Sequence, residues 1–168
     1  MPARKRALVT GGSAGLGAAA VSWLQANDHN VVVLDRDRPL PGKVPVDHIV
    51  CDLASRTELD NAMPKLIASG PYDLVFLNAG INATGRFERI DAQAHVNVIR
   101  INAEAPMVIT ARLFETGAIK RGAAMVFVSS LSHFTGYPGA ASYAASKDAL
   151  AVYAKSMRRY AKTAGVTL

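Results

Sequence analysis

Short apolar segments alternate with amphipathic segments along most of the chain. The apolar segments are rich in valine, isoleucine and leucine, which is typical of strands that are buried on both faces of a parallel sheet. They predict five strands, over residues 6–10, 30–35, 48–52, 72–77 and 123–129. Residues 165–168 resemble the beginning of a sixth strand.

The amphipathic segments predict helices between these strands. After the first strand, apolar residues recur at helical spacing, at Leu16, Ala20, Trp23 and Leu24. The Ser55-x-x-Glu58 capping box opens a second helix, which Pro64 is expected to kink or shorten. A third helix is predicted over residues 92–115 with an interruption near Pro106, and a last one over residues 142–163.

The alternation of strand and helix predicts the fold class. It favours a doubly wound α/β fold of the Rossmann type, with a parallel sheet covered on both faces. At 168 residues, the chain has the usual length of a single domain, and we expect residues 1–168 to form one dinucleotide-binding domain that carries the catalytic residues. The sheet is expected to be truncated after the start of the sixth strand.

Composition excludes several classes of function. The single cysteine, Cys51, cannot form an intramolecular disulfide, and this favours a reducing, cytoplasmic location. The four histidines show no metal-ligand spacing, so no metal is predicted. No apolar run approaches the ~20 residues that a membrane span needs. The formal charge is +6, but the basic residues are scattered, so we expect no nucleic-acid partner.

Four glycines follow the first strand, and those at positions 11, 15 and 17 form the spacing Gly-x-x-x-Gly-x-Gly. A glycine-rich turn between a strand and a helix binds phosphate, because the free backbone N–H groups at the helix start face the anion. Gly11 permits the tight turn, Gly15 allows the backbone to approach a pyrophosphate, and Gly17 allows close packing of helix and strand. The turn therefore predicts a dinucleotide site that also includes Ser13 and Leu16.

The end of the second strand indicates which dinucleotide is bound. Asp35 is placed where a carboxylate can accept hydrogen bonds from the ribose hydroxyls of NAD and repel the 2′-phosphate of NADP. Arg36 follows it and could instead pair with that phosphate. We expect NAD, with NADP as the alternative.

The glycine turn also contains the pattern Gly11-x-Ser13-x-Gly15, which occurs in the nucleophile elbow of serine hydrolases. In that alternative, Asp73 and His133 are available as partners of Ser13. The hydrolase hypothesis leaves Asp35 and the Tyr–Lys pair described next without a role.

Tyr143 and Lys147 are four residues apart in the last predicted helix, so they share one helix face. A free tyrosine holds its proton to about pH 10, and a nearby ammonium or a cationic cofactor ring favours the phenolate. Ser130 could hold a carbonyl oxygen beside the phenol. These groups suit proton transfer to or from an alcohol while a cofactor moves the hydride.

Together, these motifs resemble the classical short-chain dehydrogenase/reductase family, and they occur in the family's order along the whole chain. The resemblance rests on residues 10–17, Asn78-Ala79-Gly80, Asn102, Ser130 and Tyr143-x-x-x-Lys147.

The resemblance implies roles for particular residues. Tyr143 is implied to be the general acid–base, with Lys147 activating it and holding the nicotinamide ribose. Ser130 is implied to orient the substrate oxygen, and Asn102 to kink its helix and hold a water molecule of a proton relay. The implied adenosine contacts are Asp52, Leu53, Asn78, Ala79 and Gly80.

The resemblance also implies the reaction and the partners. It implies NAD(P)-dependent interconversion of a small-molecule alcohol and its ketone or aldehyde, by a homo-oligomer that is a dimer or tetramer. His133, Phe134 and Tyr137 are candidate walls of the substrate pocket. Because the chain is shorter than classical members, we expect a fragment of a longer protein, with a naturally short form that completes its sheet through a partner subunit as a second explanation. The third is a remnant, and the alternative function is therefore a non-catalytic module that binds a dinucleotide.

Overall fold

The computed structural model describes residues 4–39, 46–132 and 137–168, and its centre is a five-stranded parallel sheet. The strands are β1 (Lys5–Thr10), β2 (His29–Asp35), β3 (Asp47–Val50), β4 (Tyr72–Leu77) and β5 (Ile119–Phe127). Their spatial order is β3-β2-β1-β4-β5, so the order along the chain reverses between β1 and β4. Ligands of open α/β sheets bind in the crevice at such a switch point, beyond the carboxyl ends of the strands.

Helices connect the strands and cover both faces of the sheet. They are α1 (Gly15–Ala26), α2 (Arg56–Ala68), α3 (Ala92–Ile99), α4 (Ala105–Glu115) and α5 (Ala141–Ala164), with a short 3₁₀ helix (Phe87–Arg89) and a π-helical segment (Arg100–Glu104). The predicted doubly wound, Rossmann-type fold is confirmed. No helix in the described parts of the chain has the length and apolar character that crossing a bilayer requires.

Two apolar clusters, one on each face of the sheet, explain the continuous apolar strands. In β1, Leu8 packs into the larger cluster, whereas Ala7 and Val9 pack into the smaller one. Successive side chains of a strand point to opposite faces. In a strand that is covered on both faces, all of them are therefore buried, which favours apolar residues throughout.

The buried face of α1 differs from the predicted one. Gly17, Val21 and Leu24 are buried, whereas Leu16 and Trp23 are 72% and 63% exposed. The physical reason is the close contact of Gly17 with the glycine turn, where an added Cβ would lie 1.9 Å from the carbonyl oxygen of Gly11. This contact fixes the rotation of the helix, so the larger apolar residues cannot all face inward.

Helix α2 forms half of the predicted capping box. Ser55 Oγ accepts a hydrogen bond from the backbone N–H of Glu58, but the Glu58 carboxylate accepts from the N–H of Asp52 instead of that of Ser55. Pro64 lies inside the helix, which continues to Ala68. The helix is not shortened because Met63 and Leu66, on either side of the proline, are buried in the core.

The predicted interruption of the third helix lies before Pro106. The chain forms the π-helical segment over Arg100–Glu104, and Pro106 then occupies the first turn of α4. The backbone N–H of Ala105 donates to Arg100 O, five residues earlier, so the change in helical hydrogen bonding comes directly before the proline, which has no N–H to donate.

The far edge of the sheet differs in length from the prediction. Strand β5 begins at Ile119, before the predicted start at residue 123, and Gly122 has a φ of +84° within it. Thr167 pairs with β5 in a single parallel bridge. Met125 N donates to Thr167 O at 2.8 Å, and Thr167 N donates to Ala123 O at 2.9 Å. The predicted start of a sixth strand is thus one bridge in this structure.

Asp73 joins three strands at the end of the sheet opposite the switch-point crevice. Its Oδ2 accepts hydrogen bonds from Arg6 N at 2.7 Å and from Lys120 Nζ at 2.8 Å. Burial raises the pKa of the Asp73 carboxyl, but these hydrogen bonds outweigh burial and hold the pKa below its ordinary value. The folded state therefore favours the ionised carboxylate.

We expect Asp73→Asn to lower the free energy of unfolding by about 1 kcal/mol at pH 7. Because the folded pKa is depressed, this stabilisation is present above the ordinary carboxyl pKa and is lost as the pH falls through the folded value. The difference between the two proteins, measured by urea unfolding, should thus shrink below about pH 4. Asp28→Asn, which removes an exposed partner of Arg4, is the control and should change little. A difference independent of pH would contradict the prediction.

Candidate active site

A cleft of about 530 Å³ lies at the carboxyl ends of the strands, beside the switch point between β1 and β4. It extends from the turn after β1 to the first turns of α5. Every residue predicted to contact a cofactor lines it except Gly17, which lies beneath the turn: Gly11, Ser13, Gly15, Leu16, Asp35, Arg36, Asp52, Leu53, Asn78, Ala79, Gly80, Tyr143 and Lys147.

The turn after β1 is held in a shape that only small residues allow. Gly11 has a φ of +67°, and an added Cβ there would lie 2.8 Å from the Cα of Ala79. An added Cβ on Gly17 would lie 1.9 Å from Gly11 O and 2.7 Å from Asn78 Nδ2. The turn, the start of α1 and the end of β4 therefore pack against one another at backbone distance.

The start of α1 has unfilled hydrogen-bond donors. Ala14 precedes the helix without a side-chain cap, and the first turn contains no acidic residue. Gly15 has a φ of +52°, and an added Cβ on it would meet nothing within 4 Å, so the turn leaves open space at the helix start. Free N–H groups and the positive end of the helix dipole at an open site fit a phosphate group.

Thr10 joins the two strands at the switch point, a role that the sequence analysis missed. Its Oγ1 accepts hydrogen bonds from Asn78 N at 3.0 Å and Ala79 N at 3.1 Å. The Asn78 amide in turn donates to the carbonyl oxygens of Thr10 and Gly11. A hydroxyl at the end of a strand, opposite an Asn at the end of a neighbouring strand, is the signal that could have identified it.

Asp35 lies at the cleft's edge, at the end of β2. Its Oδ2 accepts a hydrogen bond from Ser13 N at 2.9 Å and its Oδ1 accepts one from Asp37 N at 3.2 Å. These bonds fix the carboxylate beside the glycine turn. The guanidinium of Arg36 is exposed and lies 3.5 Å from the carboxylate of Asp37.

The contacts of Ser13 give little support to a hydrolase. Its hydroxyl donates to the backbone carbonyl of Asp37. Three histidines have other neighbours, since His29 contacts the Asn27 carbonyl, His48 the Asp35 carbonyl and His95 the Ser142 hydroxyl. The predicted partner His133 lies outside the described residues.

The floor of the cleft near the end of β3 contains Cys51, Asp52 and Leu53. Asp52 Oδ1 accepts a hydrogen bond from Ala54 N at 2.9 Å. Burial, and then the charges of Glu58 and Asp52, raise the pKa of the Cys51 thiol to about 11. The thiol therefore stays protonated near neutral pH and is a poor nucleophile.

Lys147 reaches the cleft from the second turn of α5. Only 3% of the residue is exposed, and its Nζ donates to Val128 O at 2.7 Å. The same Nζ lies 5.9 Å from the centroid of the Tyr143 ring. Burial lowers the pKa of Lys147, because desolvation disfavours the charged ammonium.

Asn102 is fully buried in the π-helical segment between α3 and α4. Its Oδ1 accepts from Ile81 N at 2.9 Å, and its Nδ2 donates to Ile81 O at 2.9 Å and to Ser146 Oγ at 3.0 Å. Single π-helical turns often occur at functional sites. The Asn102 amide thus connects the chain after β4 to α5, and Ile81 lines the cleft.

The serines after β5 have different contacts. Ser129 lines the cleft and its hydroxyl donates to the Lys147 carbonyl at 3.2 Å. Ser130 Oγ accepts hydrogen bonds from the backbone N and the Oγ of Ser132, at 3.2 Å and 3.0 Å. The predicted role of Ser130 toward substrate stays a prediction. Of the candidate pocket walls, Tyr137 is half exposed, and His133 and Phe134 lie outside the described residues.

No group of three or more His, Cys, Asp or Glu side chains within the described residues could hold a metal ion. The side chains at the cleft include the Tyr143 phenol, the Lys147 amine and the hydroxyls of Ser13 and Ser129, beside the glycine turn.

Comparison with known proteins places these residues in a family. A sequence model of the family described as short chain dehydrogenase matches residues 5–168. The 3-oxoacyl-(acyl-carrier-protein) reductase MabA of Mycobacterium avium is 31% identical over 95% of this chain. The reductase FabG of Rickettsia typhi is 29% identical over 98% of the chain.

A solved structure also resembles this chain. A short chain dehydrogenase family protein from Francisella tularensis has a TM-score of 0.87 and 30% identity, over 98% of this chain. The chain spans 62% of the length of the Mycobacterium protein, 69% of the Rickettsia protein and 66% of the Francisella chain. Because the match extends from the first strand to the last described residue, the chain belongs to the short chain dehydrogenase family.

Proposed function

We propose that the cleft binds a nicotinamide dinucleotide and interconverts an alcohol and a ketone or aldehyde. The observation that carries this proposal is that Tyr143 and Lys147 line the same cleft as the glycine turn and Asp35. An anion-binding turn and a proton-transfer pair in one cleft of this size suit hydride transfer with a bound dinucleotide.

The cofactor site follows from the open helix start. The amides of the turn from Gly11 to Gly15 would hold the pyrophosphate, and the carboxylate of Asp35 would accept hydrogen bonds from the adenosine ribose. Leu53 and Asp52 would lie against the adenine. A bound nicotinamide supplies or accepts the hydride.

The protein's own residues would move the proton. Tyr143 would donate its phenolic proton to the carbonyl oxygen in reduction and take it back in oxidation. Lys147, buried beside the ring, would stabilise the phenolate that forms, and Ser130 would hold the substrate oxygen. Asn102 would keep the chain around Ile81 in place at the substrate side.

The relatives suggest a substrate class to test first. Two of them bear the name 3-oxoacyl-(acyl-carrier-protein) reductase, so a 3-oxoacyl thioester belongs in the assay beside simple ketones and aldehydes. The proposed reaction of this chain is the interconversion of an alcohol and a ketone or aldehyde, and the 3-oxoacyl thioester is one substrate among those to be tested.

The test combines turnover with binding. We expect consumption of NADH by the chain with at least one carbonyl of the panel, and saturable NAD(H) binding by calorimetry. Binding without turnover on every substrate would favour the alternative, a non-catalytic dinucleotide-binding module. Absence of both would overturn the proposal.

We expect Asp35→Asn to raise the affinity for NADPH relative to NADH by about tenfold. The change keeps an oxygen that can accept from Ser13 N but removes the negative charge that would repel a 2′-phosphate. Calorimetric titration with both cofactors measures the ratio, and Asp60→Asn, in an exposed pair with Arg56, is the control. An unchanged ratio would contradict the role of Asp35 in cofactor choice.

A further inference from the structure

Ser146 is a polar residue without an assigned role in the core of the site. It lies between Tyr143 and Lys147 on α5 and is fully buried. Its Oγ donates to the Tyr143 carbonyl at 2.7 Å and accepts from Asn102 Nδ2 at 3.0 Å. It is therefore in contact with two residues of the proposed proton-transfer set.

The direction of these hydrogen bonds favours one orientation of the Asn102 amide, the same one that the Ile81 backbone requires. A hydroxyl has one hydrogen to donate, and a carbonyl oxygen can only accept. Because Ser146 gives its hydrogen to the Tyr143 carbonyl, it presents a lone pair to Asn102, so the NH₂ group must face it. The amide oxygen of Asn102 must then face away, toward Ile81 N.

That orientation matters for the cleft wall. In the observed orientation, Asn102 closes two hydrogen bonds with the backbone of Ile81, one in each direction, both at 2.9 Å. Rotating the amide by half a turn would set Asn102 Oδ1 against Ile81 O. Gly80, which precedes Ile81, lies close to Asn102 and Lys147. A Cβ added to Gly80 would be 3.4 Å from Asn102 Oδ1 and 3.4 Å from Lys147 Nζ.

We propose that Ser146 is a positioning residue that fixes the Asn102 amide and ties it to the turn of α5 that carries Tyr143. This inference rests on the proposed function for its catalytic consequence. The Ser146 hydroxyl acts through Asn102 and through the main chain of Tyr143, and it need not touch substrate.

Removing the hydroxyl should affect the site more than the fold. In Ser146→Ala, one hydrogen of the buried Asn102 amide loses its acceptor, and only the Ile81 backbone then holds the amide in its orientation. The link between α5 and the chain around Ile81 is lost, so this chain should open more often. Cofactor contacts at the glycine turn, which lie on other elements, would remain.

Ser156 provides a matched control on the same helix. Its hydroxyl also bonds to a backbone carbonyl, that of Val152 at 2.8 Å, but the residue is exposed. Ser156→Ala thus removes a serine hydroxyl and a hydrogen bond within α5 without affecting the Asn102 contact.

The experiment measures kinetics and amide exchange in the same variants. For Ser146→Ala we expect kcat to fall about tenfold, with KM for the carbonyl and the Kd for NADH changed less than about twofold. Hydrogen exchange of peptides covering residues 78–84 should become about tenfold faster. Ser156→Ala should leave kcat and the exchange rate of residues 78–84 at the wild-type level. Ser146→Cys, with similar volume and a weak donor, should lie between Ser146→Ala and wild type.

The outcomes separate this inference from the proposed function. If the wild type turns over and Ser146→Ala has unchanged kcat and unchanged hydrogen exchange, the role of Ser146 is overturned, but the proposed function is not. If the wild type shows no turnover, the exchange measurement still decides, because it needs neither cofactor nor substrate. Unchanged exchange around Ile81 would overturn the inference, and faster exchange confined to Ser146→Ala would support it. A fall in kcat of the same size in Ser156→Ala would also overturn it.

Discussion

Tyr143→Phe is expected to abolish turnover almost completely while NAD(H) binding stays nearly unchanged. The substitution removes the phenolic hydroxyl and keeps the ring, which lies 5.9 Å from Lys147 Nζ. General acid–base groups contribute about 10²–10⁴-fold to rate, so a loss of kcat in this range is expected. Steady-state kinetics with NADH, together with calorimetric NADH binding, measures the two effects separately.

Tyr160→Phe is the matched control, because Tyr160 lies on the same helix and is exposed. That variant should keep wild-type kcat and wild-type stability. Full activity in Tyr143→Phe would remove Tyr143 from the proposed proton transfer. Equal losses of kcat and of cofactor binding would instead indicate that the ring had moved.

Gly17→Ala is expected to cost at least about 3 kcal/mol of unfolding free energy, or to prevent folding. A glycine replaced by alanine inside a helix normally stabilises it by up to about 1 kcal/mol, so the expected effect has the opposite sign. The cause is the Cβ, which would lie 1.9 Å from the backbone oxygen of Gly11 and cannot be accommodated by a side-chain movement. Urea unfolding followed by circular dichroism measures the loss.

Gly117→Ala controls for the general effect of adding a methyl group to a glycine. Gly117 has a φ of +67°, and an added Cβ would meet nothing within 4 Å, so only the backbone preference opposes the change. We expect a cost of about 1 kcal/mol there. If Gly17→Ala were as stable as Gly117→Ala, the close packing of α1 on the glycine turn would be wrong.

The strands show where local pattern was sufficient. Strand β4 has the predicted bounds, 72–77, because its apolar run is continuous and is followed directly by Asn78. Strand β5 starts earlier than predicted, because Lys120 and Arg121 interrupt the apolar pattern. They lie in an irregular stretch between two paired positions, Ile119 with Tyr72 and Ala124 with Leu74. Lys120 is accommodated there by Asp73, a partner that the local pattern does not reveal.

Helix α1 shows where local pattern failed. The largest apolar residues, Leu16 and Trp23, suggest an inward face, but Gly17 is the residue that must face the turn. Backbone contact at a glycine outweighs the burial of two side chains, because no alternative packing relieves an overlap with a carbonyl oxygen. The hydrophobic pattern contains no information about that contact.

The sequence by itself determined the order of strands and helices and the family. It also pointed to residues after β1, β2 and β4 and on α5 that lie together at one cleft, whereas Ile81, Ile101 and Ser129 at that cleft were not predicted. The tertiary structure alone decided the partners of these residues: Thr10 for Asn78, Val128 for Lys147, and Ile81 and Ser146 for Asn102. The physical reason is that such hydrogen bonds join residues far apart in the chain. Their distances depend on strand register and helix packing, which the periodicity of a single segment does not encode.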